Sequence, residues 1–316
     1  RIRLHAQDEN VEAMGYVLEN RIMGQQLMAA MLKLPTLTLF APAQVKAYQV
    51  NEKGAQLKID HAGDVVNLQA QLLVLADGAN SEGCLQLGIT QSRHDYGQNA
   101  LVCNISFDRP HEHWAFERFT QQGPMALLPM TNHRFALVWC MSKNQCEEYL
   151  QLDDEHFKQV LQNAVGHKVG RLNRVGARLS YPLKLVLAKE QIRSNVVVLG
   201  NAAHAMHPVA GQGFNLALRD AQALARQITA HYYEKSHDKK MGSLEMLQQY
   251  LMSQQADQKI TVGLSDSLPK TFMQPGSVWS LLRALGMSVM DVSPVAKKLF
   301  TRQAMGLVGT ADVWQP

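Results

Sequence analysis

Along this chain the spacing of apolar residues changes several times, and each change predicts an element. Residues 11–34 open with a short extended piece at Met14–Leu18. Ile22, Leu27, Met31 and Leu34 then recur at helical spacing until Pro35 stops the helix. Short runs of strand character follow: TLTLF, AQVKAYQV, AQLKID and VVNLQ, with turns at Asn51–Gly54 and His61–Asp64. They predict an antiparallel meander. Leu72–Leu75 is a continuous apolar run, the pattern of a strand buried on both faces in a parallel sheet.

Between residues 96 and 140 the runs ALVCNISF, WAFERFT, MALLPM and RFALVWC alternate moderately and are joined by Gly, Pro and Asn turns. They predict a second, mostly antiparallel sheet. Residues 153–168 carry a helical pattern, GARLSYPLKLVLA reads as strand, and Asn195–Leu199 reads as another buried strand. Residues 216–234 predict a helix, and from Leu244 onward the chain is helical and rich in methionine. No internal repeat is visible.

Composition narrows the function classes. With 316 residues, 46% hydrophobic and 18% charged, the chain can bury a real core and suggests about two domains. The net charge of +4 is spread along the chain, which argues against nucleic acid as a partner. Cys84, Cys103, Cys140 and Cys146 form no C-x-x-C pair and read as reduced thiols. No apolar run reaches the roughly 18 residues that span a bilayer.

The candidate chemistry lies in residues 200–215, GNAAHAMHPVAGQGFN, between a buried strand and a helix. A strand that feeds a loop and then a helix start gathers unpaired backbone N–H groups and the positive dipole end at one place. Gly211 and Gly213 let backbone approach a ligand, Pro208 sets the chain direction, and Asn215 is a candidate cap. No G-K-[ST] follows, and the spacing is not G-x-G-x-x-G. Composition alone leaves two readings, a structural turn and a ligand cradle. His204 and His207 stand at i, i+3 without further nearby ligands, so no metal is expected. Arg219 and Asp220 read as an ion pair, and Glu117 and Arg118 as the exposed or edge face of a strand.

The 200–215 stretch with its following D-A-x-x-L-A resembles the second FAD-binding motif of the class A flavoprotein monooxygenases, the para-hydroxybenzoate hydroxylase-like fold. VLADGANS at 74–81 resembles that family's Asp-Gly motif. AFERFTQQGPMALLPM, FALVWC, SYPL and TVGLSDSL narrow the likeness to the ubiquinone-biosynthesis hydroxylases, over nearly the whole chain. Two positions depart from the family pattern. Asn201 stands where the family has an acid, and Cys84 where it has an arginine.

The resemblance implies an α/β (α+β) fold. An FAD/NAD(P)-binding Rossmann-like domain with a parallel sheet is expected from residues 1–95 and 185–235. An antiparallel-sheet substrate domain is expected at 96–184, and a C-terminal helical region at 236–316. The family's initial βαβ unit with G-x-G-x-x-G is not found in this sequence, so the chain is expected to lack an N-terminal part, to bind FAD poorly or not at all, and to be inactive by itself. The resemblance further implies FAD as cofactor, NAD(P)H as electron donor, and hydroxylation of a polyprenylated phenol with O₂. The cofactor-binding positions it implies are Arg21, Asp77, Gly78, Gly200, Asn201, Pro208, Gly211, Gln212, Gly213, Phe214 and Asn215. Phe119, Leu127, Pro129 and Trp139 are expected to wall the substrate, and His207 and Pro208 are the candidate catalytic positions, with His207 or a backbone-bound water as candidate acceptor of the phenol's proton.

A flavin-dependent polyprenyl reductase and a non-catalytic scaffold among other ubiquinone-biosynthesis proteins remain as alternatives. The expected location is cytoplasmic. Beyond residue 271, Val278, Leu281, Leu282, Leu285 and Val289 fall near helical spacing. They read either as core or as an apolar face for peripheral contact at the inner membrane, with Met273, Met287 and Met290 nearby and Arg283, Lys297 and Lys298 at lipid head groups.

Overall fold

The computed structural model describes residues 2–120, 122–233, 240–273 and 293–306. The tail positions 278–290 discussed above lie outside them. The chain forms two compact units. One comprises Arg1–Lys33, Asp95–Leu183 and Ser267–Met305; the other comprises Leu34–His94, Lys184–Asp266 and Gly306–Pro316.

The first helix, α1 (Asn20–Met31), ends close to where Pro35 predicted. It belongs with the antiparallel sheet and not with the nucleotide-binding piece expected over 1–95. The reason is visible in contacts within that unit: Glu19 pairs with Arg134 at 2.8 Å, and the His5 ring sits edge-on to Trp114. TLTLF forms no strand. The meander follows as β1 (Ala43–Asn51), β2 (Gly54–His61) and β3 (Asp64–Ala70), antiparallel in sequence order with turns at the expected places. Next come β4 (Leu73–Leu75) and the single-turn α2 (Glu82–Gln86), whose cap Ser81 accepts from the Cys84 amide.

The antiparallel sheet is built from β5 (Gln91–Phe107), β6 (Phe116–Phe119), β7 (Pro124–Pro129) and β8 (Arg134–Ser142), in the order β5-β8-β7-β6. Two helices follow. The first, α3 (Lys143–Gln151), was not expected, because KNQCEEYLQ has a weak apolar period; Ser142 caps it by accepting from the Gln145 amide. The second, α4 (Asp154–Val165), is capped by Asp153 and buries Phe157, Leu161 and Val165.

These helices pack on one face of the sheet only. Leu101, Cys103, Ile105, Met125, Leu127, Phe135, Leu137, Trp139 and Met141 form one core with Cys146, Tyr149, Phe157 and Leu161. Because side chains alternate along a strand, Glu117, Phe119, Ala126, Leu128, Val138 and Val102 take the opposite face.

After β9 (Leu172–Val175), β10 (Leu179–Ala188) lies beside β5 and carries the chain back toward the other unit. There β11 (Ile192–Arg193) and β12 (Val196–Val198) lead to β13 (His204–Ala205), and then to α5 (Gln212–Tyr233) and α6 (Leu244–Met273). α7 (Pro294–Ala304) closes the described chain. The expected separate helical region over 236–316 is not a unit by itself. Met246, Leu247 and Tyr250 of α6 pack with Val197 and Leu224 in the same core as β12. Among the described residues no helix is long and apolar enough to cross a membrane.

Candidate functional site

β4 and β12 pair in parallel, Leu73 with Val196, Val74 with Val197 and Leu75 with Val198. Val196, Val197 and Val198 are fully buried, whereas Val74 of β4 is 39% exposed, so only the β12 run is apolar because it is covered on both faces. The pairing has a direct consequence: the loops that follow the two strands leave from the same end of the sheet. Ligands of open α/β sheets bind outside the carboxyl ends of parallel strands. Two stretches far apart in sequence, the Asp-Gly loop and the 200–215 loop, are thereby brought together.

In the first loop, Asp77 accepts a hydrogen bond from the Gly83 amide at 3.1 Å and so holds the loop against α2. Gly78 follows at φ 89°, a conformation that favours glycine, and an added Cβ there would meet nothing within 4 Å. In the second, Gly200 has φ 60° and starts a single 3-10 turn. Asn201 is exposed, and its amide makes no hydrogen bond among the described residues. Both its donor and its acceptor therefore face solvent.

Further along, Pro208 heads the tight turn Val209–Gly211, where the Gly211 amide donates back to the Pro208 carbonyl at 3.0 Å. Gly211 takes φ 61° with open space where a Cβ would stand. α5 begins at Gln212, earlier than the periodicity indicated. Asn215 therefore lies in the first turn and is not the cap. Phe214 is half exposed, Gln212 is buried, and at Gly213 the nearest atom to an added Cβ is the Met206 methyl at 3.9 Å.

What fixes this loop is a polar network missed by the sequence reading. His204 and Asp220 are both fully buried, with Nε2 and Oδ2 2.5 Å apart, and Gln258 of α6 donates to the other Asp220 oxygen at 3.0 Å. His204 Nδ1 has no partner among the described residues. Asp220 and Arg219 are not paired with each other. Arg219 forms a two-pronged pair with Asp257 at 2.6 and 3.1 Å.

His207 is buried. Its Nδ1 accepts from the Val209 amide at 3.3 Å, and Ser265 donates to its carbonyl at 2.8 Å. Burial pushes its imidazole down to about 4, against a smaller opposing effect of Asp266. A phenol titrates near about 10, so moving its proton to this ring would cost roughly 8 kcal/mol. That cost argues against His207 as the proton acceptor and for a loop-holding role.

The remaining expected residues lie in the other unit. Arg21 is exposed on α1. Leu127 and Trp139 are 3% and 0% exposed and point into the helix-covered core, so neither forms a wall. Trp139 also donates from Nε1 to Thr120 at 3.3 Å. Pro129 follows the same side of β7, partly buried. Phe119 stands on the opposite face and is exposed.

The arrangement fits FAD. Glycines with open space above them, an exposed amide at Asn201 and the start of a long helix converge at one end of a parallel strand pair, which suits a flat ring with a carbonyl-bearing edge and its polyol chain.

Comparison with known proteins agrees. The FAD binding domain family matches residues 8–248. The ubiquinone hydroxylase UbiL of Rhodospirillum rubrum is 34% identical over 302 residues, covering 96% of this chain and 69% of that protein. The 3-demethoxyubiquinol 3-hydroxylase of Escherichia coli is 28% identical, covering 93% of this chain and 73% of that one. Among solved structures, p-nitrophenol 4-monooxygenase PnpA from Pseudomonas putida DLL-E4 superposes with a TM-score of 0.73 at 14% identity, over 92% of this chain and 72% of that one. The OxyS anhydrotetracycline hydroxylase from Streptomyces rimosus gives 0.64 at 19% identity, over 93% and 56%. On this evidence the chain belongs to the FAD-dependent aromatic hydroxylases, in the family of the ubiquinone-biosynthesis hydroxylases.

Proposed function

We propose that this chain hydroxylates the aromatic ring of a phenol on the route to ubiquinone, using FAD, NAD(P)H and O₂, and that the phenol carries a polyprenyl tail. The observation that carries the reading is the parallel pair β4–β12, which brings the Asp-Gly loop and the glycine-rich start of α5 to one end of the sheet. When bound, FAD takes electrons from NAD(P)H and turns O₂ into an oxygen electrophile for an electron-rich ring. The chain's own residues bind and orient. The Asn201 amide meets the ribityl hydroxyls. The first amides of α5, from Gln212 to Asn215, face the pyrimidine edge, where negative charge is favoured. Asp77 and Gly78 shape the other side.

The substrate lies on the sheet face that α3 and α4 leave uncovered, against Phe119, Ala126, Leu128 and Val138. Leu127 and Trp139 support that face from behind. A polyprenyl tail gives a motive for peripheral contact with the inner membrane and for assembly with other ubiquinone-biosynthesis proteins.

The experiment is turnover under ¹⁸O₂ with FAD in excess, NAD(P)H and a short-chain prenylated phenol, followed by mass spectrometry of the product. One labelled oxygen in the ring is expected. A product that gains hydrogen and no oxygen would establish the reductase alternative, and absence of any flavin-dependent product would remove both.

A further inference from the structure

A recess beside the Asp-Gly loop plays no part in the hydroxylation site described above. It encloses about 470 Å³ and is lined by Asn80, Ser81, Leu85, Gly88, Thr90 and Arg93, all within one compact unit. That volume lies in the range of ligand sites, roughly 300–1,000 Å³. The chain makes the recess by folding back after α2. The Gly88 amide donates to the Leu85 carbonyl at 3.2 Å, and the Ile89 amide to the Cys84 carbonyl at 2.8 Å. Gly88 takes φ 68°, and an added Cβ there would meet nothing within 4 Å.

Arg93 carries the only charge in this lining. Its guanidinium is fixed by neutral acceptors. Nη1 donates to Asn80 Oδ1 at 2.8 Å, and Nη2 donates to the Ala79 carbonyl at 3.0 Å and to Gln91 Oε1 at 2.9 Å. Arg93 makes no ion pair among the described residues. Three of its five N–H groups are used, so Nε and one hydrogen of Nη1 remain. Other donors stand in the same lining. Ser81 Oγ accepts from the Cys84 amide and keeps its own hydrogen to give, and the Thr90 hydroxyl makes no bond among the described residues. The charges of the adjoining segments are engaged elsewhere. Asp77 accepts from the Gly83 amide, Glu82 accepts from the Gln86 side chain, and Arg193, which reaches the Leu87 carbonyl, is paired with both oxygens of Glu190. Gln91 also donates to the Ala202 carbonyl at 2.8 Å, so one chain of hydrogen bonds joins the recess to the turn that carries Asn201. A guanidinium held in place without a counter-charge, in a recess with further donors and no acid, is an arrangement that recognises an anion.

We infer that this recess binds a phosphate-bearing ligand, with Arg93 as its charged contact, and that the diphosphate of a nucleotide is the group it takes. Phosphate oxygens accept several hydrogen bonds at once, which suits the set of Arg93, Ser81, Thr90 and the Asn80 amide. A lone phosphate leaves most of the volume empty. A nucleoside diphosphate also brings a flat, partly apolar base, for which the exposed Leu85 side chain offers contact. The inference goes beyond the hydroxylation reading and does not depend on it, since the anion is bound whichever ring the chain oxidises.

The test is calorimetric titration of the chain, without flavin, with ADP, pyrophosphate and acetate. ADP is expected to bind most tightly, pyrophosphate next, and acetate at least about tenfold more weakly than pyrophosphate. Added salt should weaken both phosphate ligands, because the contact is exposed. Arg93→Gln is expected to lose about tenfold or more in affinity, as removal of a hydrogen bond to a charged group does, and Arg93→Lys to recover part of it by restoring the charge. Thr90→Glu sets a carboxylate in the recess and leaves the three bonds of Arg93 in place. It should abolish binding without moving the urea midpoint, which separates an anion site from a mere staple of the loop. Phosphate binding that survives both Arg93→Gln and Thr90→Glu overturns the assignment, and so does a chain that binds neither ADP nor pyrophosphate. ADP no tighter than pyrophosphate overturns the nucleotide and leaves free phosphate as the ligand. Turnover under ¹⁸O₂ is a separate measurement, so a failure here leaves the hydroxylation reading standing.

Discussion

Asp220→Ala is expected to destabilise the second unit by about 3–5 kcal/mol. Asp220 is fully buried and serves two partners, His204 at 2.5 Å and Gln258 at 3.0 Å. Alanine removes both hydrogen bonds and leaves a buried imidazole nitrogen and a buried amide unsatisfied, at roughly 1–3 kcal/mol each. His204 is itself only 1% exposed, so bulk water has little access to the atoms left unpaired. The effect should reach the cofactor loop. His204 sits at the start of the segment that runs through Pro208 and Gly211 into α5, so FAD affinity should fall together with stability. Asp220→Asn preserves shape and one acceptor and is expected to cost about half as much. Equilibrium denaturation in urea, read by tryptophan fluorescence beside an FAD titration, measures both. A loss under about 1 kcal/mol for the alanine variant would show that the network does not carry the loop.

Trp139→Ala should cost a similar amount, about 3–5 kcal/mol, for a different reason. Trp139 is 0% exposed, stands opposite Leu101 and Met125 in the sheet, and lies 5.4 Å from the Tyr149 ring. Truncation leaves a cavity under α3 and α4 that this close-packed core cannot fill. The variant also decides between two roles for the residue. A wall residue would raise KM for the phenol and leave stability nearly unchanged. A core residue lowers the denaturation midpoint and changes KM little in the molecules that remain folded. The second result is expected. The first would place Trp139 against the substrate, contrary to its burial.

The parts of the fold that were legible in the sequence are those set by local pattern. β1–β3 alternate and are joined by short turns, so period and turn chemistry gave the meander. LLVL and VVVL are apolar at every position, which marks both as strands of a parallel sheet; β12 is covered on both sides, but β4 leaves Val74 exposed. The cofactor loop was legible because its chemistry is contiguous: glycine, proline and a helix start follow one another within residues 200–215. Where local signals competed, the reading slipped. α3 carries few apolar residues and owes its place to the Ser142 cap and to burial of Cys146 and Tyr149. TLTLF has strand residues but finds no strand to pair with.

Which face of a strand is covered is a different kind of fact. Alternation along MALLPM and RFALVWC separates two faces, but it does not say which one receives helices. From sequence alone, Leu127 and Trp139 stand beside Phe119 and Pro129 as equal candidates for a substrate wall. The packing of α3 and α4 places Leu127 and Trp139 in the core and puts the other set, with Glu117 and Phe119, on the face turned away from those helices. The same holds for the partners of single polar groups. His204, Asp220 and Gln258 are 16 and 38 residues apart, and Arg219 finds Asp257 rather than its neighbour. The sequence by itself determined most of the elements, the strand–loop–helix unit at 200–215 and the family. Only the tertiary structure decided which face each strand buries and which buried polar groups meet, because those choices follow from long-range packing and desolvation, which no local period encodes.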